Sequence, residues 1–198
     1  MQTKKLAVVG ALGLGLVSAP ALAQQVQDTG FYIGGAIGYA RYDIDDGAIR
    51  AAGATTFSSD NSDTGWKIFG GYQFHRNWGV EVGYVDLGKI GFSGTVGAVP
   101  FTGNVDVTAW TLALVGTMPV HQNFDIFGKL GLYNWKSKGN ATIAGIGTAA
   151  ASDDGTDAMV GVGVRYNFSK NFGVQVEAEH FAGSDKVNLF SIGLRWKF

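Results

Sequence analysis

In segment after segment from residue 30 onward, the sequence alternates with a period of two, the repeat of a β-strand whose side chains point to opposite faces. The character of the two faces constrains the fold more than any other feature. One face is bulky and apolar: Phe31, Ile33, Ile37 and Tyr39, then Trp66, Ile68, Tyr72 and Phe74, then Trp110, Leu112, Leu114 and Met118. The other is small or charged: Gly34, Ala36 and Gly38, then Lys67 and Gly71, then Gly161, Gly163 and Arg165. A water-soluble barrel would put the bulky side chains inside. The interior of a narrow barrel instead accepts Gly, Ala and a few charges, so the apolar face must point outward, into lipid. A closed ring of strands also satisfies every backbone N–H and C=O without water, as a bilayer requires.

Alternation marks eight candidate strands, at 30–43, 64–75, 78–89, 104–118, 124–136, 156–168, 172–182 and 187–198. The expected fold is all-β: an eight-stranded, up-and-down, antiparallel transmembrane β-barrel. The connections alternate in length. Those at 76–77, 119–123 and 169–171 are tight, while 44–63, 90–103 and 137–155 read as long polar loops rich in Gly, Ala, Ser and Thr. Short periplasmic turns and long external loops are the outer-membrane pattern. Aromatic residues near strand ends, such as Phe74, Trp78, Phe124 and Phe168, suit interfacial girdles.

Residues 1–23 read as a removable signal peptide, with residues 24–198 as the barrel domain. Lys4 and Lys5 precede an apolar run, and Ala21-Leu22-Ala23 is a small-x-small cleavage site. A retained membrane helix is the alternative, but the uncharged stretch is short for spanning and holds three glycines and Pro20. Loss of Lys4 and Lys5 takes the formal charge from −1 to −3. That gives no basic footprint for nucleic acid. With no cysteine, neither a disulfide framework nor a thiolate metal site is available.

Four further stretches carry a family likeness. Val80-Glu81-Val82-Gly83-Tyr84-Val85-Asp86-Leu87-Gly88-Lys89, Phe69-Gly70-Gly71-Tyr72-Gln73, Ile126-Phe127-Gly128-Lys129-Leu130-Gly131 and Ser191-Ile192-Gly193-Leu194-Arg195-Trp196-Lys197-Phe198 resemble the third, second, fifth and last strands of the OmpA-type transmembrane barrel family. The resemblance covers residues 30–198, the barrel domain alone. It implies a Gram-negative outer-membrane location, contact with outer-membrane lipid and lipopolysaccharide, delivery by the outer-membrane assembly machinery, and a monomer. It also implies basic lumen residues in the fourth and seventh strands and an acidic one in the sixth. The matching positions here are Val115, Gln175 and Arg165, so the lumen charges are rearranged.

The inward charges Glu81, Lys129, Arg165, Glu177, Glu179 and Arg195 form the most informative constellation, a lumen charge layer toward the short-turn end. Opposite charges can pair there and plug the barrel, or they can line a gate or narrow ion path. A catalytic acid–base pair lacks an accompanying nucleophile or ligand set. Across the 169–171 turn Arg165 lies level with Gln175, which makes Glu177 its expected diagonal partner; Lys129 lies on the strand beside Arg165, so two cations adjoin, and Glu81 from the far wall is the expected second carboxylate for them. Phe190, Ile192, Leu194, Trp196 and Phe198 read as an outward aromatic and aliphatic strand of the kind that serves as an assembly signal.

The remaining candidates carry less. His75, His121 and His180 fall on separate strands and do not converge on a metal. His180 is followed by Ala182, where a lipid deacylase of the His-x-Ser type needs a hydroxyl. Asp60, Asp63, Asp153, Asp154 and Asp157 lie in or beside the long connections without calcium-site spacing. No cofactor site is expected. The expected function is a structural, non-catalytic barrel that displays long external loops. A pore for ions or small solutes, and a surface adhesin or immune-evasion protein, are the alternatives.

Overall fold

A computed structural model describes residues 29–42, 56–59, 62–96, 99–145, 147–183 and 186–198. The signal-peptide segment 1–23 lies outside them. Nine strand segments are described: β1 (Gly30–Tyr42), β2 (Thr56–Ser59), β3 (Ser62–His75), β4 (Trp78–Val96), β5 (Val99–His121), β6 (Phe124–Ile143), β7 (Gly147–Asn167), β8 (Phe172–Phe181) and β9 (Val187–Lys197). Each of β3 to β8 pairs antiparallel with the next in the chain, and β1 pairs with both β3 and β9. The eight long strands therefore close into one up-and-down ring. The short β2 lies against the far end of β4, with Thr56 opposite Thr95. Among the described residues no helix is long and apolar enough to cross a membrane.

The expected facing holds around the ring. Ile37, Trp110, Leu112, Leu114, Leu130 and Ile192 are among many large apolar side chains exposed on the outside. Lys67, Glu81, Lys129 and Arg165 are buried inside. Aromatic side chains stack across strands near both rims of this band. Trp66, Tyr84 and Trp110 do so at one rim, with centroids 5.7 and 5.3 Å apart, and Phe168, Phe172 and Trp196 at the other, at 6.0 and 6.3 Å.

The inner face is less uniform than its small-and-charged pattern implies. Tyr32, Phe69, Phe127, Tyr133, Phe181 and Leu189 are buried there. Several of these rings lie over a glycine directly opposite on the neighbouring strand: Phe69 over Gly34, Tyr32 over Gly71 and Phe127 over Gly163. A Cβ on any of these glycines would run into the facing ring, so the glycines are what make room for aromatics inside a narrow barrel.

Two of the three expected long loops are strands. β4 and β5 stay paired out to Val96 opposite Val99, and β6 and β7 out to Ile143 opposite Gly147. Residues 90–103 and 137–155 thus form hairpin ladders, joined at 97–98 and 144–146. In the third, 44–63, the described part contains β2 and the start of β3. The physical reason is plain. Water bathes both faces of these segments, so nothing imposes apolar alternation on them, while the backbone ladder needs no side-chain pattern to continue. The result is a four-stranded arm, β4 to β7, rising past the shorter β8 and β9. β8 has 10 residues and β9 has 11, the length of a membrane-crossing strand, against 23 for β5 and 21 for β7. Beyond the end of β8 the outer edge of β7 has no strand paired to it among the described residues. Lipid cannot host an open sheet edge, so the arm stands outside the bilayer.

Candidate functional site: a lumen closed in two layers

The lumen holds a charge layer toward the short-turn end and an apolar layer toward the arm. In the first, β3, β4, β6 and β8 project side chains inward at similar height. Lys129 Nζ lies 2.6 Å from Glu81 Oε1, 2.7 Å from Glu177 Oε1 and 3.9 Å from Glu179 Oε1. Lys67 Nζ lies 2.6 Å from Glu177 Oε2 and also bonds Glu179. Tyr32 donates its hydroxyl to Glu81 Oε2 at 3.1 Å, and both ammonium groups lie near the Phe69 ring. Lys67 and Lys129 are 3% exposed and Glu177 2%, so the layer is dry enough for a lost partner to matter.

Nearer the turns, Arg165 Nε donates to Gln175 Oε1 at 3.3 Å, reaches Asp125 at 3.9 Å and stacks 4.8 Å from the Phe127 ring centre. Arg195 stacks on Tyr32 at 3.9 Å and donates to Gln73 Oε1 at 3.3 Å. Four cations, Lys67, Lys129, Arg165 and Arg195, thus sit with four carboxylates, Glu81, Glu177, Glu179 and Asp125.

The expected Arg165–Glu177 pair does not form. Glu177 is opposite Gly163 on β7, and its carboxylate turns across the lumen to the two lysines. Arg165 is opposite Asp125 on β6, which draws it toward the turn end. Lys67 is the central residue that the candidate set omits. Its inward parity is legible beside Gly71 and Gln73, on the small or charged face, but parity alone does not group it with the other lumen charges. Asp125 was missed because it lies only one residue into its strand. Gln175 and Val115, the positions matched to the family's basic residues, are both buried in the lumen.

Above the charges, Ala40, Tyr42, Val85, Leu87, Tyr133, Met159, Phe181, Val187 and Leu189 pack into one cluster. Phe181 and Leu189 are 0% exposed. Tyr42 donates its hydroxyl to the Leu87 carbonyl oxygen at 2.9 Å, and Tyr133 donates to that of Ala182 at 2.8 Å, so their polar ends are satisfied. This layer closes the lumen at its arm end with side-chain volume and not with charge.

The other candidates stay apart. His75 and His121 are exposed beside their turns, and His180 pairs with Asn188 at 2.8 Å. Asp63 accepts the backbone N–H of Thr64 and of Lys89, and Asp157 accepts the Trp135 indole N–H. Asp60 lies outside the described residues. Among the described residues no cluster of His, Asp or Glu could hold a metal ion. Phe190, Ile192, Leu194, Trp196 and Phe198 line the outside of β9 and its end, and Phe198 donates its N–H to the Phe31 carbonyl oxygen at 2.9 Å.

Comparison with known proteins agrees with this geometry. Outer membrane protein A of Yersinia pseudotuberculosis is 27% identical over 98% of this chain and 56% of its own length. Outer membrane protein A of Klebsiella pneumoniae is 30% identical over 76% of this chain and 43% of its own length. The chain therefore spans about half the length of these relatives. Among solved structures, Ail, the attachment invasion locus protein of Yersinia pestis, superposes with a TM-score of 0.55 at 20% identity, covering 85% of this chain and 99% of that one. The N-terminal β-barrel domain of Pseudomonas aeruginosa OprF gives 0.56 at 14%, covering 85% and 98%. The family described as outer membrane protein beta-barrel domain matches residues 9–198, and the chain belongs to that family.

Proposed function

We propose that this chain is a closed, non-catalytic membrane anchor whose task is to hold a rigid β-arm outside the cell, in an adhesive or displaying role. One observation carries the reading. The lumen is filled twice, by the ionic layer around Lys129 and by the apolar layer around Phe181, while four of its strands continue into water. A pore would need at least one of those layers to be absent. An enzyme would need a reactive group with access to substrate, and the buried carboxylates are held by lysines. The fold shared with the attachment invasion locus protein is compatible with this role, though at 20% identity that likeness concerns the fold alone.

Orientation follows from the family. The tight turns at 76–77, 122–123 and 169–171 face the periplasm and the arm faces outward. Residues 1–23 would direct export and be removed. The outward side chains of β9 through Phe198 would be read by the assembly machinery, so removing Phe198 should lower assembly in cells while refolding in detergent persists. The test of the main reading is planar-bilayer recording on refolded protein. A silent membrane supports the anchor. Regular conductance steps from the wild-type chain would overturn it in favour of a pore.

A further inference from the structure

The lumen charges balance as a whole but not at each height. Glu81, Glu177 and Glu179 stand with Lys67 and Lys129, so the ionic layer carries one negative charge in excess. Toward the turns the sign reverses. There Arg165 and Arg195 stand with Asp125, and Lys197, opposite Tyr32 on β1, lies on the same inward face and is half-buried. Neither guanidinium is matched by its surroundings. Arg165 is 4% exposed, yet its carboxylate partner, Asp125 Oδ2, is 3.9 Å away and already accepts the Asn167 amide at 2.8 Å. Arg195 is 7% exposed, and its buried Nε has no acceptor among the described residues. Glu81, above them, is held by Lys129 and Tyr32. An arginine has five N–H donors and does not shed its proton, so two of them taken out of water need more acceptor than this.

We propose that the turn end of the lumen is a binding site for a small phosphate-class oxyanion, held by Arg165 and Arg195 below the ionic layer. With the orientation proposed above, this mouth opens to the periplasm, which supplies the anion. The site leaves both layers that close the lumen intact, so it and the anchor reading stand or fall separately.

The backbone around the arginines is bare. β8 runs between them, with Gly173 opposite Arg195 and Gln175 opposite Arg165. A Cβ on Gly173 would lie 3.4 Å from Arg165 Cγ. Gln73, the polar neighbour of Arg195 on β3, stands between Gly30 on β1 and Gly79 on β4. Three inward positions at this end thus carry no side chain. The placement of the donors selects the ligand. Arg165 and Arg195 come from opposite flanks of β8, so their common acceptor must offer oxygens in more than one direction. A tetrahedral oxyanion does so, and guanidinium groups bond its oxygens in pairs. A carboxylate presents both oxygens along one edge, and chloride has no directed acceptor.

The experiment is nuclear magnetic resonance on the full chain, refolded in a phosphate-free glycoside detergent with its arginines labelled with nitrogen-15. The sequence has five arginines, so the Nε–H signals are few and each is assigned by one substitution. Inorganic phosphate is titrated against chloride at constant ionic strength. The Arg165 and Arg195 signals should move together along one saturating curve while the other three stay in place. Arg165→Gln should weaken the phosphate response of Arg195 at least tenfold, and Lys170→Gln, on an exposed turn, should leave it unchanged. The wild-type titration decides the matter even where Arg165→Gln refolds poorly. Inorganic phosphate should bind at least as tightly as glycerol phosphate; the reverse order would make a lipid headgroup the source and overturn the free ion. Acetate giving the same curve as phosphate would overturn the tetrahedral ligand. Arginine signals that ignore phosphate, or all five drifting together without saturation, would overturn the site.

Discussion

Four of the eight strands of the barrel wall continue into the arm, with one register shift between β4 and β5 at Asp86 to Lys89, yet wall and arm obey different side-chain rules. In the wall, β5 runs Trp110, Leu112 and Leu114 on its outer face, with Thr111, Ala113 and Val115 buried inside. In the arm, the same strand reads Thr102, Gly103 and Asn104, and Thr102 lies exposed. Lipid outside and a confined lumen inside make each wall position selective. In the arm, water on both sides makes most positions permissive, and the ladder of backbone bonds holds the shape. A strand can thus leave the membrane without ending.

This contrast predicts a graded set of effects. The largest should come from inside the wall. Lys129→Gln leaves Glu81 without its cation and Glu177 with one in place of two, and should cost about 3–5 kcal/mol of unfolding free energy in lipid vesicles. A neutral result would mean that lumen water solvates these charges and that the layer closes nothing. Next is the outer wall. Leu114→Arg, midway along a lipid-facing row, should cost about 2–4 kcal/mol by the same assay. The smallest effect belongs to the arm: Thr102→Arg on the same strand should change stability by no more than about 0.5 kcal/mol. If the two β5 substitutions cost the same, the wall and the arm are not distinct environments.

A double-mutant cycle sharpens the picture within the wall. Lys129→Gln with Glu177→Gln should be strongly non-additive, because one removes the partner of the other across 2.7 Å. Arg165→Gln with Glu177→Gln should couple much more weakly, since Arg165 turns to Asp125 and Gln175 and meets Glu177 through Gln175 rather than directly. Coupling in the second pair and none in the first would restore the diagonal partner that sequence parity favours.

The same contrast explains what could be read from the sequence. The wall was legible because lipid enforces period two. Eight strands, their facing and the inward position of Glu81, Lys129, Glu177 and Glu179 all follow from it. The arm was not legible. Gly139 to Ala151 carries no alternation, and a ladder in water leaves no mark on side-chain chemistry. In the lumen, parity told which residues point inward but not where flexible ends go. Glu177 reaches across the barrel, past its neighbour on β7, because a lysine side chain spans a distance that strand register does not encode. The apolar layer was hidden for a related reason. Leu87, Phe181 and Leu189 look like ordinary strand residues until closure brings them together, and Phe69 and Phe127 fit only because Gly34 and Gly163 stand opposite.

The central claim is that wall and arm form one continuous rigid body. The sequence has no native cysteine, so Val162→Cys in the wall and Ala150→Cys in the arm can carry spin labels without interference. Pulsed electron–electron distance measurement on the doubly labelled protein in lipid nanodiscs tests the claim directly. The two sites lie on one strand, and at the rise of an extended chain they should give a single narrow distribution near about 40 Å. A broad distribution centred well below that distance would mean that residues 147–155 are a loose loop and that the barrel carries no arm.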